Sequence, residues 1–167
     1  LYYHLSRQLA ASEKPTDETL RSLIDNFSGD LVSSFCALLH ERRKGKIFTT
    51  GEGFSNIVGT YIVQRMSICG FMAFSNVHFY DYMIFQEARQ RTDADETAVM
   101  FAVSQSGETE PVLNDVRHAK QHGQKIISFT RRSDSTLAQL SDLVFVVDGA
   151  KQTLAGSLPN LFFGHII

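Results

Sequence analysis

Ser104, Ser106 and Thr109 place three hydroxyls within six residues, around Gly107, between an apolar run at 98–103 and a helical pattern at 110–122. Each hydroxyl can donate one hydrogen bond, the glycine lets backbone approach a ligand closely, and a following helix brings unpaired N–H groups at the positive end of its dipole. Such a set holds a phosphate. A second turn of related make, Gly51-Glu52-Gly53-Phe54-Ser55, follows the short β-compatible segment 46–50. Neither turn contains Lys or Arg, so the expected site is a neutral cradle of hydroxyls and N–H groups. That suits a phosphate monoester better than a metal-bound polyphosphate.

Other residue types with chemical potential carry less. The Gly-rich turn has Asn56 where a dinucleotide fingerprint needs a third glycine, and no acidic residue closes a second strand at the required distance. His118 and His122 stand at i and i+4 on one helix, but no third ligand accompanies them, so a solvated face is expected rather than a metal site. Arg131 and Arg132 follow the fourth strand at the same edge of the sheet, as loop cations within reach of a ligand or a neighbouring subunit. Cys36 and Cys69 fall inside amphipathic helical patterns and read as buried free thiols.

The elements that position these residues alternate. Leu20, Leu23, Ile24 and Phe27 give one apolar face at helical spacing, with Thr16 as N-cap. After a break at Ser28-Gly29-Asp30, Leu31, Val32, Phe35, Leu38 and Leu39 form a second stripe, ended by Arg42-Arg43-Lys44-Gly45. Strands are expected at 46–50, 71–74, 98–103, 125–130 and 143–147. Helices are expected from Ile57 to Met66, over 78–89, over 110–122 with Pro111 in the first turn, and over 135–141. A strand–helix repeat of this kind requires a parallel sheet with helices on both faces and right-handed crossovers. If the first and third strands are neighbours, the two turns share one crevice.

With 167 residues, 43% hydrophobic and 20% charged, the chain is expected to build one domain. A net charge of −2 disfavours a nucleic-acid-binding surface within it, so any DNA must be reached through another segment. There is no signal-peptide pattern and no apolar stretch long enough to span a membrane, which gives a cytoplasmic expectation. The chain opens without Met and stops at Ile167 within an apolar helical pattern, as a piece of a longer protein would.

The Ser104-x-Ser106-Gly107-Glu108-Thr109 motif resembles the signature of the sugar isomerase (SIS) domain family. Supporting matches are Gly51-x-Gly53-x-Ser55, Ala119-Lys120-x-x-Gly123, the strand 126–130, and Ser135-x-Leu137-Ala138 before Ser141-Asp142, so the likeness covers about residues 45–148. The resemblance implies a three-layer α/β/α sandwich with a five-stranded parallel, flavodoxin-like sheet that binds phosphorylated sugars and needs no cofactor or metal. Carried over by motif, the phosphosugar site comprises Gly53, Ser55, Ser104, Gln105, Ser106, Gly107 and Thr109. Within the family the chain looks most like the effector domain of RpiR-type transcription regulators. That implies a linker arm at 1–16 from an absent N-terminal DNA-binding domain, a SIS domain at 17–167 and a homodimer or higher homo-oligomer. Such a sensor has no catalytic residue. The enzyme alternative, an aldose–ketose sugar-phosphate isomerase, needs a group to move a proton between adjacent carbons, for which Glu52, Glu108 and His78 are the candidates. Glu108 belongs to the signature and reads better as a loop-orienting or helix-capping carboxylate. At the position where related hexulose phosphate isomerases place a Glu, this chain offers Asn160, whose amide cannot take the proton.

Overall fold

Strands Lys46–Gly51 (β1), Val99–Val103 (β3) and Lys125–Thr130 (β4) are buried at every residue but Lys125, as the interior strands of a parallel sheet must be when helices cover both faces. The computed structural model describes residues 29–75 and 97–146. The helices are Gly29–Glu41 (α1), which precedes β1, Phe54–Ile68 (α2), Glu110–Gln121 (α3) and Thr136–Leu140 (α4), which follows β4, and the edge strands are Met72–Phe74 (β2) and Leu143–Val146 (β5). All pairs are parallel, in the order β2-β1-β3-β4-β5. The expected arm at 1–16, the helix from Thr16 to Phe27, the aromatic-rich helix at 78–89 and the segments beyond 146 lie outside the described residues.

Strand alternation sends side chains into two cores. Ile47, Val99, Phe101, Val103, Ile127, Phe129 and Phe145 meet Leu39 of α1 and Val58, Ile62 and Met66 of α2. Phe48, Ala98, Met100, Ala102 and Ile126 meet Val112, Leu113, Val116 and Ala119 of α3 and Leu137 of α4. This is the three-layer sandwich that the strand–helix repeat requires. Phe101, Phe129 and Phe145 stack across β3, β4 and β5 with ring centroids 6.2 and 5.0 Å apart, and Phe35 of α1 sets its edge on Phe101 and Phe145. Aromatic pairs of this kind add about 1 kcal/mol each beyond their buried area. Phe35 therefore docks α1 on the sheet, whereas Val32 of the same predicted stripe is exposed.

The helix stops follow from backbone chemistry. Gly70 and Gly123 take positive φ values of 89° and 74° just past α2 and α3. Gly45, after the cationic end of α1, is needed for space, because a Cβ there would lie 2.0 Å from the Thr97 carbonyl oxygen. Two further expectations fail. Cys36 and Cys69 are free but exposed, Cys36 on the outer side of α1 and Cys69 at the C-cap of α2. Ile57 is also exposed, since the buried row of α2 runs through Val58, Gly59, Ile62 and Met66. Gly59 belongs to that row because the helix lies close to β1, where a Cβ would stand 3.2 Å from Thr49 Oγ1. Among the described residues no helix is long and apolar enough to cross a membrane.

Candidate functional site

Pairing of Gly51 with Val103 ends β1 and β3 at the same level, so the turns that follow them leave the sheet side by side. From β1 the chain crosses to β2 on one side, and from β3 it proceeds through β4 to β5 on the other. The gap between β1 and β3 is thus the switch point of the sheet, where open α/β folds receive ligands.

The turn at 104–109 is built from its own hydroxyls. Ser104 Oγ lies 2.8 Å from Thr109 Oγ1 and accepts a hydrogen bond from the Gly107 amide at 3.1 Å. Ser106 Oγ accepts one from the Glu108 amide at 3.2 Å. Ser104 is buried while Gln105 and Ser106 are exposed, so the turn rises out of the sheet edge with its second hydroxyl facing solvent. Gly107 has φ of 70°, and a Cβ would lie 2.3 Å from Ser135 Oγ and 2.8 Å from Thr130 Oγ1. Both the dihedral and the space require glycine.

What holds this turn is the one after β4. The Arg131 amide donates to the Gln105 carbonyl at 3.1 Å and the Leu137 amide to the Gly107 carbonyl at 3.0 Å. The Thr136 amide donates to Glu108 Oε1 at 2.8 Å, placing a carboxylate at the N-terminal end of α4. That hydrogen bond, reinforced by the Thr136 side chain, holds the Glu108 carboxyl below its usual pKa. Ser135 caps the same helix, its Oγ accepting from the Ala138 amide at 3.3 Å and donating to the Arg132 carbonyl at 2.8 Å. Glu108 is therefore the helix-capping carboxylate that the motif suggested.

The turn at 51–55 has a different construction. Gly53, with φ of 56° and open space around its α-carbon, starts α2, and no side chain caps that helix. The Ser55 amide donates to the Glu52 carbonyl at 3.1 Å and the Asn56 amide to the Gly53 carbonyl at 3.2 Å. Ser55 is buried and Glu52 is exposed. A Cβ at Gly51 would lie 2.9 Å from the Ser55 carbonyl carbon, so the glycine lets the chain turn back over its own helix.

Fold and register thus bring Gly53, Ser55, Ser104, Gln105, Ser106, Gly107 and Thr109 to one edge of the sheet, with Glu52 and Glu108 beside them. His78 lies outside the described residues. Three features escaped the sequence. Thr50, at the end of β1, donates a 2.5 Å hydrogen bond to Asp115 Oδ2, with both residues buried. The signal was the inner row of α3, where a carboxylate stands among Val112, Val116 and Ala119. Bracing by the turn after β4 depends on long-range backbone pairs that no local motif encodes. The third is an open cleft of about 600 Å³ lined by Gln105, Ser106, Arg131 and Arg132. His118 and His122 are half-buried rather than solvated, their rings 4.3 Å apart, and burial together with the neighbouring imidazole lowers the His118 pKa. No group of three or more His, Cys, Asp or Glu residues suited to a metal ion occurs among the described residues.

An open parallel sheet with a hydroxyl-lined turn at its switch point defines an α/β domain equipped to hold an anionic ligand. Its family follows from comparison: the chain belongs to the SIS domain family, whose model matches residues 40–162. It is 28% identical over 122 residues to an uncharacterised HTH-type transcriptional regulator of Clostridium perfringens, covering 70% of this chain and 42% of that protein. It is 30% identical over 106 residues to a 3-hexulose-6-phosphate isomerase of Methylomonas aminofaciens, covering 63% of this chain and 52% of the isomerase. The chain thus spans about half the length of these relatives. The sugar isomerase domain of an RpiR transcription factor from Sphaerobacter thermophilus superposes with a TM-score of 0.67 at 16% identity, over 88% of this chain and 81% of that one. The Vibrio vulnificus NanR protein, complexed with ManNAc-6P, superposes with a TM-score of 0.63 at 21% identity, over 98% of this chain and 64% of that one. At such identities the structural likeness establishes the fold.

Proposed function

We propose that this SIS domain is the effector-sensing part of an RpiR-type transcriptional regulator, binding a phosphorylated sugar or amino sugar without turning it over. The phosphate would sit on the turn at 104–109, on the hydroxyls of Ser104, Ser106 and Thr109 and the backbone at Gln105, with Gly53 and Ser55 closing the other side. Occupancy would pass to an N-terminal DNA-binding domain through residues 1–16 and a dimer arrangement. Such signalling requires only that the ligand bind one of two states more tightly.

The observation that favours sensing over catalysis is the use of Glu108. Its carboxylate accepts the Thr136 amide and its pKa is lowered, so it is engaged in structure and poorly disposed to act as an acid. The similarity to a helix-turn-helix regulator and to an RpiR domain supports the same reading. A second reading, sugar-phosphate isomerisation, is favoured by the likeness to the hexulose isomerase and by the exposed Glu52 at the sheet edge. The two separate in one experiment. The protein is titrated with fructose 6-phosphate, ManNAc-6P, pentose 5-phosphates and hexulose 6-phosphates while its melting temperature and the sugar composition are followed. Stabilisation by one of them with no change in the sugar supports the sensor, since binding to the native state alone raises stability as RT ln(1 + [L]/Kd). Aldose–ketose conversion that disappears in Glu52→Gln supports the isomerase.

A further inference from the structure

The cleft beside the turn at 104–109 holds cations that the hydroxyl motif lacks. Gln105 and Ser106, from the turn after β3, line it together with Arg131 and Arg132 from the turn after β4. The two arginines are not equivalent. Arg132 is occupied, donating through Nε and Nη2 to both carboxylate oxygens of Asp134 at 3.0 and 2.9 Å, which raises its pKa. Arg131 is fixed at its backbone, where its amide donates to the Gln105 carbonyl at 3.1 Å. Its side chain is exposed, and among the described residues no carboxylate or carbonyl pairs with its guanidinium. The nearby acidic groups are already engaged, Asp134 by Arg132 and Glu108 by the Thr136 amide. The backbone of Arg131 is thus one hydrogen bond away from the turn that carries the hydroxyl motif, and its side chain lines the same cleft as Gln105 and Ser106.

We propose that Arg131 is a specificity-determining residue of this site: its guanidinium closes over the phosphate held at 104–109 and converts a neutral cradle into one selective for a dianionic ester. This inference rests on the phosphate-site reading above. A planar fork of N–H donors matches phosphate oxygens, and a charge-assisted bond adds to affinity what hydroxyls alone do not. Because the cation is exposed, its attraction is screened by salt, whereas the hydroxyl and amide contacts are not. Arg132, held by Asp134, contributes little.

The test measures binding of inorganic phosphate, and of fructose 6-phosphate, ManNAc-6P and a pentose 5-phosphate, by calorimetry and ligand-induced thermal shift at low and high sodium chloride. The proteins are wild type, Arg131→Gln, Arg131→Lys, Arg132→Gln and the double variant Ser106→Ala/Thr109→Ala. Arg131→Gln is expected to weaken inorganic phosphate and the responding sugar phosphate alike, by about tenfold, and to flatten the salt dependence. Arg131→Lys should recover part of the loss and all of the salt dependence, and Arg132→Gln should bind within about twofold of wild type. Unliganded melting temperatures should be unchanged, because the backbone bond to Gln105 survives. Wild-type affinity and salt slope in Arg131→Gln overturn the proposal. So does a loss confined to the sugar phosphates with inorganic phosphate unaffected, which would place the guanidinium on the sugar instead. If the Ser106→Ala/Thr109→Ala protein binds as wild type does, the site reading itself fails and takes the proposal with it.

Discussion

The two turns at the switch point are built on opposite plans. The one at 104–109 is pre-formed: its hydroxyls bond one another and its own amides, and backbone and carboxylate bonds to the turn after β4 fix its height and direction. The one at 51–55 is made of glycine freedom, with Gly53 at positive φ in open space and no side chain capping the helix it starts. The difference suggests a division of labour. An anion is recognised best by donors that need no rearrangement, since ordering them on binding would subtract from affinity. A turn that must fit different sugars, or report their presence, benefits from slack.

The largest effect should come from attacking the rigid turn at its glycine. Gly107→Ala forces a side chain into a positive-φ position against Ser135, and is expected to cost about 3 kcal/mol or more in chemical denaturation. Gly53→Ala, strained by its dihedral but unobstructed, should cost less, about 2 kcal/mol. Equal losses at the two positions would erase the contrast. The next largest effect is on function without folding. Ser106→Ala/Thr109→Ala should abolish the ligand-induced rise in melting temperature and leave the unliganded protein folded, with a small loss from the Ser104–Thr109 and Ser106–Glu108 bonds.

Smaller effects come from two carboxylates, one at the opposite edge of the sheet and one that braces the rigid turn. Asp142, just before β5, accepts the Ile126 amide at 2.8 Å and pairs with Lys125 at 2.7 Å, tying β5 to β4. Burial acts to raise its pKa, but these bonds outweigh it and the net displacement is downward. A depressed carboxyl adds stability that is present above its unfolded pKa of about 4 and is lost as pH falls through the folded value. Asp142→Asn should therefore lower stability by about 1 kcal/mol near neutral pH and shrink that difference in acid, as read from denaturation curves between pH 7 and pH 3. Glu108→Gln should behave the same way with smaller amplitude, because its lowered pKa comes from the Thr136 bond on a fully exposed group. It should leave any ligand response intact. A lost response with an unchanged acid limb would make Glu108 a ligand contact rather than a brace.

Much of this was legible in the chain itself. The apolar run at 98–103 read as a buried strand and 125–130 as the next one, and the spacing of Val112, Leu113, Val116 and Ala119 gave the side of α3 that meets the sheet. The hydroxyl motif and its glycine announced the turn. Less visible were features that depend on which strands become neighbours. The Thr50–Asp115 bond joins residues 65 apart in sequence, and the bracing of the turn at 104–109 joins residues from separate loops. Cys36 and Ile57 show the limit of periodicity. Each lies in a helix with an apolar stripe, yet a shift of one residue around the helix puts it outside. Arg131 and Arg132 looked alike as loop cations, and only the position of Asp134 distinguishes them.

The central claim is that the turn at 104–109 binds a phosphorylated sugar and does not transform it. It is tested most directly by titrating the purified protein with the sugar-phosphate panel while recording amide NMR spectra and the sugar's own signals in the same tube. The account predicts saturable shifts centred on residues 104–109 and 53–55 for at least one sugar phosphate, with the sugar unchanged after prolonged incubation. Shifts elsewhere in the molecule, or conversion of the sugar, would contradict it.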